Sequence, residues 1–217
     1  MIQVTDLPCS AAAERNKQPI LEVLRQLLPV KGNALEIASG TGQHVAWFAS
    51  GMPDWTWQAT DYQASALPAI AARMASEHLG NVLAPQQLDV MSGEWLATGA
   101  GGETPAFDAI YCANMLHIAP WPTCAALMQG SARHLAPDGA LITYGPYLED
   151  EVATSPGNLE FDESLRRRDP AWGLRRRADV EAQAARAGLR LSARYTMPAN
   201  NLLLVWTRFS SRLGCVH

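Results

Sequence analysis

Hydrophobic and polar positions alternate in blocks along this chain, and the blocks repeat in a βα rhythm. The first block, residues 10–29, carries Ile20, Leu21, Leu24, Leu27 and Leu28 as an apolar stripe at helical spacing. Ser10 is a candidate cap, and Pro29 and Gly32 end the segment. Pro19 suits a first helical turn, which puts the expected start near Gln18 and leaves 11–17 as a separate lead-in. Residues 34–38 are apolar apart from Glu36, as in a parallel strand covered on both faces. They run into Ser39-Gly40-Thr41-Gly42 and then a helical pattern from Gln43 to Ala49. Trp55 to Ala59 reads as a second strand ending at Thr60-Asp61-Tyr62, followed by a helix with Pro68 in its first turn. Val82 to Leu88, interrupted by Pro85, reads as a third strand near an edge. Gly99 to Pro105 reads as a flexible loop, and Phe107 to Ala113 as an apolar fourth strand. After a helix opened by Pro120 and Pro122, Pro137-Asp138-Gly139 is the expected turn into a fifth strand, Ala140 to Tyr144.

The rhythm breaks at 148–175, where acids and arginines surround Phe161 and Trp172. That composition reads as a folded lid rather than a linker. A helix from Asp179 to Ala187 follows. The strands 189–196 and 202–209 are joined by Pro198-Ala199-Asn200-Asn201 and form an expected antiparallel pair. The pattern predicts a single α/β domain over 1–217: a Rossmann-like, seven-stranded, mostly parallel sheet with helices on both faces. Residues 1–31 form an N-terminal helical cap, the lid follows the fifth strand, and an antiparallel hairpin closes the sheet.

Composition excludes more than it selects. At 217 residues the chain can bury a full core, and a net charge of −4 gives no global attraction to nucleic acid or anionic membrane. No apolar run spans a bilayer, and Met1 to Lys17 lacks a basic start followed by an apolar core. The four cysteines make no CxxC pair and the five histidines no ligand spacing, so no metal is expected, and a cytoplasmic location is.

A strand, a glycine turn and a helix N-terminus make a nucleotide-binding corner. A dinucleotide fingerprint needs a third glycine to seat a pyrophosphate, and this turn has none. Acids stand at three successive strand ends: Glu36, Asp61 and Asp89. These acids, the terminal hairpin and the absent glycine favour S-adenosylmethionine, which carries no phosphate. Asp61, whose two oxygens can accept both ribose hydroxyls, can also cap a helix, but its position after the second strand favours the ligand role. Glu36 can instead fix the turn backbone.

Glu36 to Gly42 resembles motif I of the class I S-adenosylmethionine-dependent methyltransferases, with Ala38 where the first motif glycine usually stands. The whole chain resembles the methyltransferase-like protein 26 family. The resemblance rests on Ala13-Glu14-Arg15-Asn16-Lys17 with Pro19-Ile20, Ala38 to His44, Leu88-Asp89-Val90, and Asn114-Met115-Leu116-His117. It continues through Ile142 to Tyr147, Asn158 with Phe161-Asp162, Trp172 to Arg175, and Met197 to Asn201.

The resemblance implies a cofactor site made of Glu36, Ala38, Ser39, Gly40, Gly42, His44, Asp61 with Tyr62, Asp89, Val90, Asn114 and Met115. It also moves Arg15 and Asn16, which read alone as solvated surface, over the carboxylate end of that cofactor. His117 is the candidate general base, with a purely structural role weighed equally. Tyr144 and Tyr147 are candidate orienting groups. Tyr147, Asn158, Phe161, Trp172 and Asn200 would line an acceptor pocket. The expected activity is methyl transfer to nitrogen, sulfur or oxygen of a small molecule, leaving S-adenosylhomocysteine, by a monomer or homodimer that binds no nucleic acid. A non-catalytic sensor or partner protein, or a protein-directed methyltransferase, is the alternative.

Overall fold

The computed structural model describes residues 7–96 and 106–209, so the expected loop at Gly99–Pro105, residues 1–6 and Cys215 lie outside the described residues. The elements in order are α1 (Ala11–Leu27), β1 (Gly32–Ile37), α2 (Gln43–Gly51), β2 (Trp55–Asp61), α3 (Leu67–Ser76), β3 (Val82–Gln87) and β4 (Phe107–Ala113). They continue with α4 (Pro122–His134), β5 (Leu135–Leu148), α5 (Pro156–Arg168), β6 (Arg175–Arg176), α6 (Arg177–Arg186), β7 (Leu189–Met197) and β8 (Asn201–Arg208). The sheet order is β3-β2-β1-β4-β5-β8-β7, with two-residue β6 paired to the end of β5. Strands β1 to β5 run parallel, and β8 is antiparallel to both β5 and β7. Order reverses between β1 and β4, so the crevice at their carboxyl ends is where this architecture holds a ligand.

The expected break before Gln18 is not there. α1 is one helix from Ala11, capped by the Ser10 hydroxyl accepting from Ala13 N–H, with Pro19 inside it. Pro19 has no N–H, so the Arg15 carbonyl loses its helical partner, at a cost of about 3 kcal/mol. Ile20, Leu21 and Leu24 are fully buried. At about 1.5–3 kcal/mol per side chain their burial outweighs the proline, so packing overrides the local signal.

β5 also differs. The expected turn at Pro137-Asp138-Gly139 lies within the long strand as an irregularity, where the β4 register jumps between Phe107 and Ala109. A Cβ on Gly139 would sit 2.7 Å from the Phe107 carbonyl oxygen, so only glycine fits this approach. β3 is an edge strand, as Pro85 implies. The Gln58 amide reaches across to the Ala84 carbonyl at 2.9 Å where the β2–β3 register shifts.

Two cores flank the sheet. One packs α1, α2 and α3 on Trp55, Trp57, Tyr111, Ile142, Tyr144, Leu203 and Val205. The other packs α4 and α6 on Leu35, Ile37, Ile110, Leu141, Leu204 and Trp206. Glu36 on β1 alternates onto the first face together with Ala34, beneath α1 and α2. No helix among the described residues is long and apolar enough to cross a membrane.

Candidate functional site

The glycine turn between β1 and α2 holds its shape through backbone conformation and contacts to β2. Ala38, Gly40 and Gly42 all have positive φ (58°, 56° and 72°), so Ala38 adopts the left-handed backbone of the glycine it replaces. A Cβ on Gly42 would press on Ile70 at 3.3 Å, whereas around Gly40 the nearest atom is 4.0 Å away, which leaves that backbone open to a ligand. Ser39 N–H donates to the Thr60 carbonyl (2.8 Å), and the Thr60 hydroxyl donates to the Glu36 carbonyl (2.6 Å). Asp61 accepts from Gly40 N–H (2.8 Å) on one oxygen and from Gln63 N–H (2.9 Å) on the other. Both its oxygens therefore hold backbone, with one lone pair each left for a ligand hydroxyl.

Glu36 is the buried acid of the turn. Its Oε2 has no hydrogen-bond partner, and burial pushes the carboxyl pKa up to about 8, with the Ser39 hydroxyl pulling it down and the Asp61 charge raising it further. Asp89 is exposed and accepts from Met91 N–H, while Val90 is buried and its carbonyl accepts from the Trp95 indole. Tyr62 leaves its ring exposed beside Asp61. Asn114, at φ 57°, donates its N–H to the Tyr144 carbonyl and turns the chain into Met115 to His117.

α1 lays a polar layer over this corner. Asn16 is buried, and His44 Nε2 lies 2.6 Å from its Oδ1. Burial raises the pKa of the Tyr144 hydroxyl, against the lowering influence of the Asn16 and Asn201 side chains. Arg15 is exposed near the same hydroxyl and has no carboxylate within 4 Å among the described residues. Gln43 fixes the start of α1 by donating to Glu14 (3.0 Å). The Arg73 guanidinium ties Thr41 to Pro8 through their carbonyls.

His117 is buried, its ring edge-on to Phe161 of α5. A Cβ on Gly145 would meet its Nδ1 at 3.5 Å and the Asn114 amide oxygen at 3.6 Å, so these groups converge over β5. Burial, then the Arg175 charge, lowers the His117 pKa to about 4, leaving the ring neutral but weakly basic at pH 7. Arg175 locks this loop by donating to the Leu116, Ala119 and Ala171 carbonyls, and Gly173 N–H donates to the His117 carbonyl.

The residues expected to line an acceptor pocket separate into two groups. Tyr147, Asn158 and Asn200 line one cavity of about 160 Å³ between the end of β5, α5 and the β7–β8 turn. The Asn158 amide donates to the Asn200 carbonyl (3.2 Å). The Tyr147 hydroxyl is directed into the opposite core, donating to Thr143 Oγ1 (2.9 Å), so Tyr147 offers the cavity its ring and not an orienting hydroxyl. Phe161 and Trp172 are not among the cavity's lining residues: Phe161 packs on His117, and Trp172 lies under the Arg168 guanidinium.

Three contributors escaped the sequence reading. Asn201 lines the cavity and also acts on Tyr144, joining the two regions. Glu149, paired with Arg177 and Arg194, closes the cavity rim, where the pattern shows only one acid among the charges of the expected lid. Tyr111 is the register partner of Glu36, and the sole clue was a hydroxyl-bearing residue among the apolar positions at the centre of its strand. Among the described residues no cluster of three His, Cys, Asp or Glu side chains is arranged to hold a metal ion.

The turn, the polar layer and the cavity sit on a fold shared with solved methyltransferases. An O-methyltransferase family protein from Burkholderia thailandensis superposes with a TM-score of 0.74 at 20% identity, covering 92% of this chain and 58% of its own. An O-methyltransferase family 2 protein from Planctomyces limnophilus, solved with apigenin, gives 0.74 at 17% identity, covering 91% and 58%. CalO1, a methyltransferase of calicheamicin biosynthesis solved with S-adenosylhomocysteine, gives 0.69 at 16%, covering 89% and 54%. The fold is that of the Rossmann-like methyltransferases, and the chain spans little more than half the length of these structures. Residues 7–208 match the family described as "Protein of unknown function (DUF938)", and the chain belongs to that family.

Proposed function

We propose that this protein is an S-adenosylmethionine-dependent methyltransferase, as the resemblance to the methyltransferase-like protein 26 family implies, and that it acts on a small molecule held in the cavity beside α5. The observation that carries the reading is the unpartnered, buried Glu36 Oε2 behind a glycine turn with an open backbone at Gly40. A buried acid without a partner is costly, and the cationic ammonium of the cofactor's methionine end relieves that cost. When bound, S-adenosylmethionine supplies an activated sulfonium methyl for in-line displacement.

This chain's residues then bind, orient and exclude water. Ala38, Ser39, Gly40 and Gly42 bring backbone close to the methionine portion, and Glu36 takes its ammonium. Arg15, with no acid of its own, serves the carboxylate, assisted by Asn16. His44 orients Asn16. Asp61 and Tyr62 receive the ribose, Asp89 and Val90 the adenine, and Asn114 and Met115 offer backbone acceptors. Tyr144 orients the acceptor atom, and Asn158, Asn200 and the Tyr147 ring hold the acceptor's body. Phe161 closes over His117, and Trp172 stays under the Arg168 guanidinium. At a pKa near 4, His117 suits an acceptor that is already a free nucleophile or a weak hydrogen-bond donor better than one needing a strong base.

The test is incubation with radiolabelled S-adenosylmethionine and a fractionated metabolite extract, following release of S-adenosylhomocysteine. Turnover with a small-molecule fraction supports the proposal. Tight cofactor binding with no turnover in any fraction supports a sensor instead, and transfer only to protein fractions supports a protein-directed enzyme.

A further inference from the structure

We infer that the Tyr111 hydroxyl is a positioning group for the methionine ammonium of the methyl donor, shared with Glu36. The inference rests on the methyl-donor reading above and extends it to a residue outside motif I.

Glu36 and Tyr111 are register partners on the adjacent parallel strands β1 and β4. Both side chains are buried, Tyr111 at 1% exposure and Glu36 at 2%. Glu36 Oε2 and the Tyr111 hydroxyl each lack any hydrogen-bond partner, so they are not bonded to one another either. Strand neighbours on one face are close, and the Glu36 charge acts on the Tyr111 hydroxyl, whose pKa burial already raises.

The Ser39 hydroxyl and Val45 N–H act on the Glu36 carboxyl but leave Oε2 without a partner, and other polar groups of this region are engaged. His44 Nε2 is engaged by Asn16, the Thr60 hydroxyl by the Glu36 carbonyl, and the Asn16 and Asn201 side chains act on the Tyr144 hydroxyl. The Tyr111 ring cannot readily swing to another partner, because His44 and Phe48 both pack edge-on to it at 5.7 and 5.2 Å. Two buried polar groups left open side by side are the complement of a ligand atom with several donors, and an ammonium has three.

The experiment compares two ligands on the intact protein and on Tyr111→Phe, which keeps the ring and its packing. S-adenosylhomocysteine carries the amino-acid end; 5′-methylthioadenosine keeps the adenosine and thioether and lacks it. By calorimetry, Tyr111→Phe is expected to weaken S-adenosylhomocysteine by about tenfold and to leave 5′-methylthioadenosine within about twofold, the loss of one hydrogen bond to a charged group. Equal losses for both ligands, or none for either, overturn the inference and leave Tyr111 a packing residue or the host of a buried water. Should Tyr111→Phe fail to fold, the deaminated analogue of S-adenosylhomocysteine on the unaltered protein decides: binding as tight as the parent overturns the inference. A protein that binds none of these ligands overturns the methyl-donor reading as well.

Discussion

His44 on α2 and Asn16 on α1 meet at 2.6 Å in a buried contact, and this pair sets the polarity of everything beneath α1. Burial, then the Lys17 charge, lowers the His44 pKa to about 4, so the ring is neutral at pH 7. Its Nε2–H donates to the amide oxygen of Asn16, a tautomer assigned from the network. The Asn16 amide nitrogen is thereby left free to donate, and the Asn16 side chain acts against the burial that raises the Tyr144 pKa. Asn16→Ala strips the buried His44 ring of its partner. It is expected to cost about 2–3 kcal/mol in urea unfolding, more than one exposed hydrogen bond is worth. A loss under 0.5 kcal/mol, on the order expected for a surface site, would show that water replaces the amide freely.

Ala38 holds φ at 58°, where a Cβ is strained. That strain is about 1–3 kcal/mol, against about 0.4–1 kcal/mol of extra unfolded-state entropy that glycine brings. Ala38→Gly is therefore expected to raise stability by up to about 2.5 kcal/mol, or up to roughly 10 °C in Tm for a chain of this size. A fall in Tm would mean that the alanine methyl contributes packing that exceeds its strain.

Arg175 holds three carbonyls, from Leu116, Ala119 and Ala171, with its guanidinium over Trp121. Lysine has no planar fork to replace these bonds. Arg175→Lys should loosen the loop that carries His117 while leaving the glycine turn intact. The expected outcome is a tenfold or greater drop in kcat, the order of effect that mispositioning of a reacting group produces. S-adenosylhomocysteine affinity should stay within about twofold. A parallel loss of cofactor affinity would refute the division of labour between turn and loop.

The fold was legible because its signals are periodic: buried strands, amphipathic helices and glycine breaks all survive in the one-dimensional pattern. The glycine turn was legible because positive φ demands particular residues. What stayed hidden depends on contacts across the sheet. Pro19 reads locally as a helix start, and only the burial of Ile20, Leu21 and Leu24 reveals a continuous helix. Tyr147 reads as an orienting hydroxyl until β5 is seen to turn that hydroxyl to Thr143 on the opposite face. Asn201 and Tyr111 join the site only once β8 and β4 are placed beside β5 and β1.

Stability of the empty protein should peak near pH 6.5, through three buried groups acting in opposite senses. His44 and His117 fall from an ordinary 6.5 to about 4, so the unfolded chain binds protons there that the folded one refuses. Their contribution is fully present above 6.5 and is lost as pH falls toward 4. Glu36 rises from 4.5 to about 8, so the folded state keeps a proton that the unfolded chain releases. Its contribution is present below 4.5 and is lost as pH rises through about 8. Between 4.5 and 6.5 two histidines oppose one glutamate, and stability climbs by roughly 1 kcal/mol per pH unit; above 6.5 the glutamate acts alone and stability declines by a similar slope until about 8. Saturating S-adenosylhomocysteine should pair its ammonium with Glu36, ionise the carboxylate and flatten the alkaline limb, so that affinity strengthens as pH is raised toward 8. Glu36→Gln should flatten the same limb without ligand. Urea unfolding at pH 5, 6.5 and 8.5, with and without ligand, checks all of this. An alkaline limb that persists in Glu36→Gln would place the titrating group elsewhere.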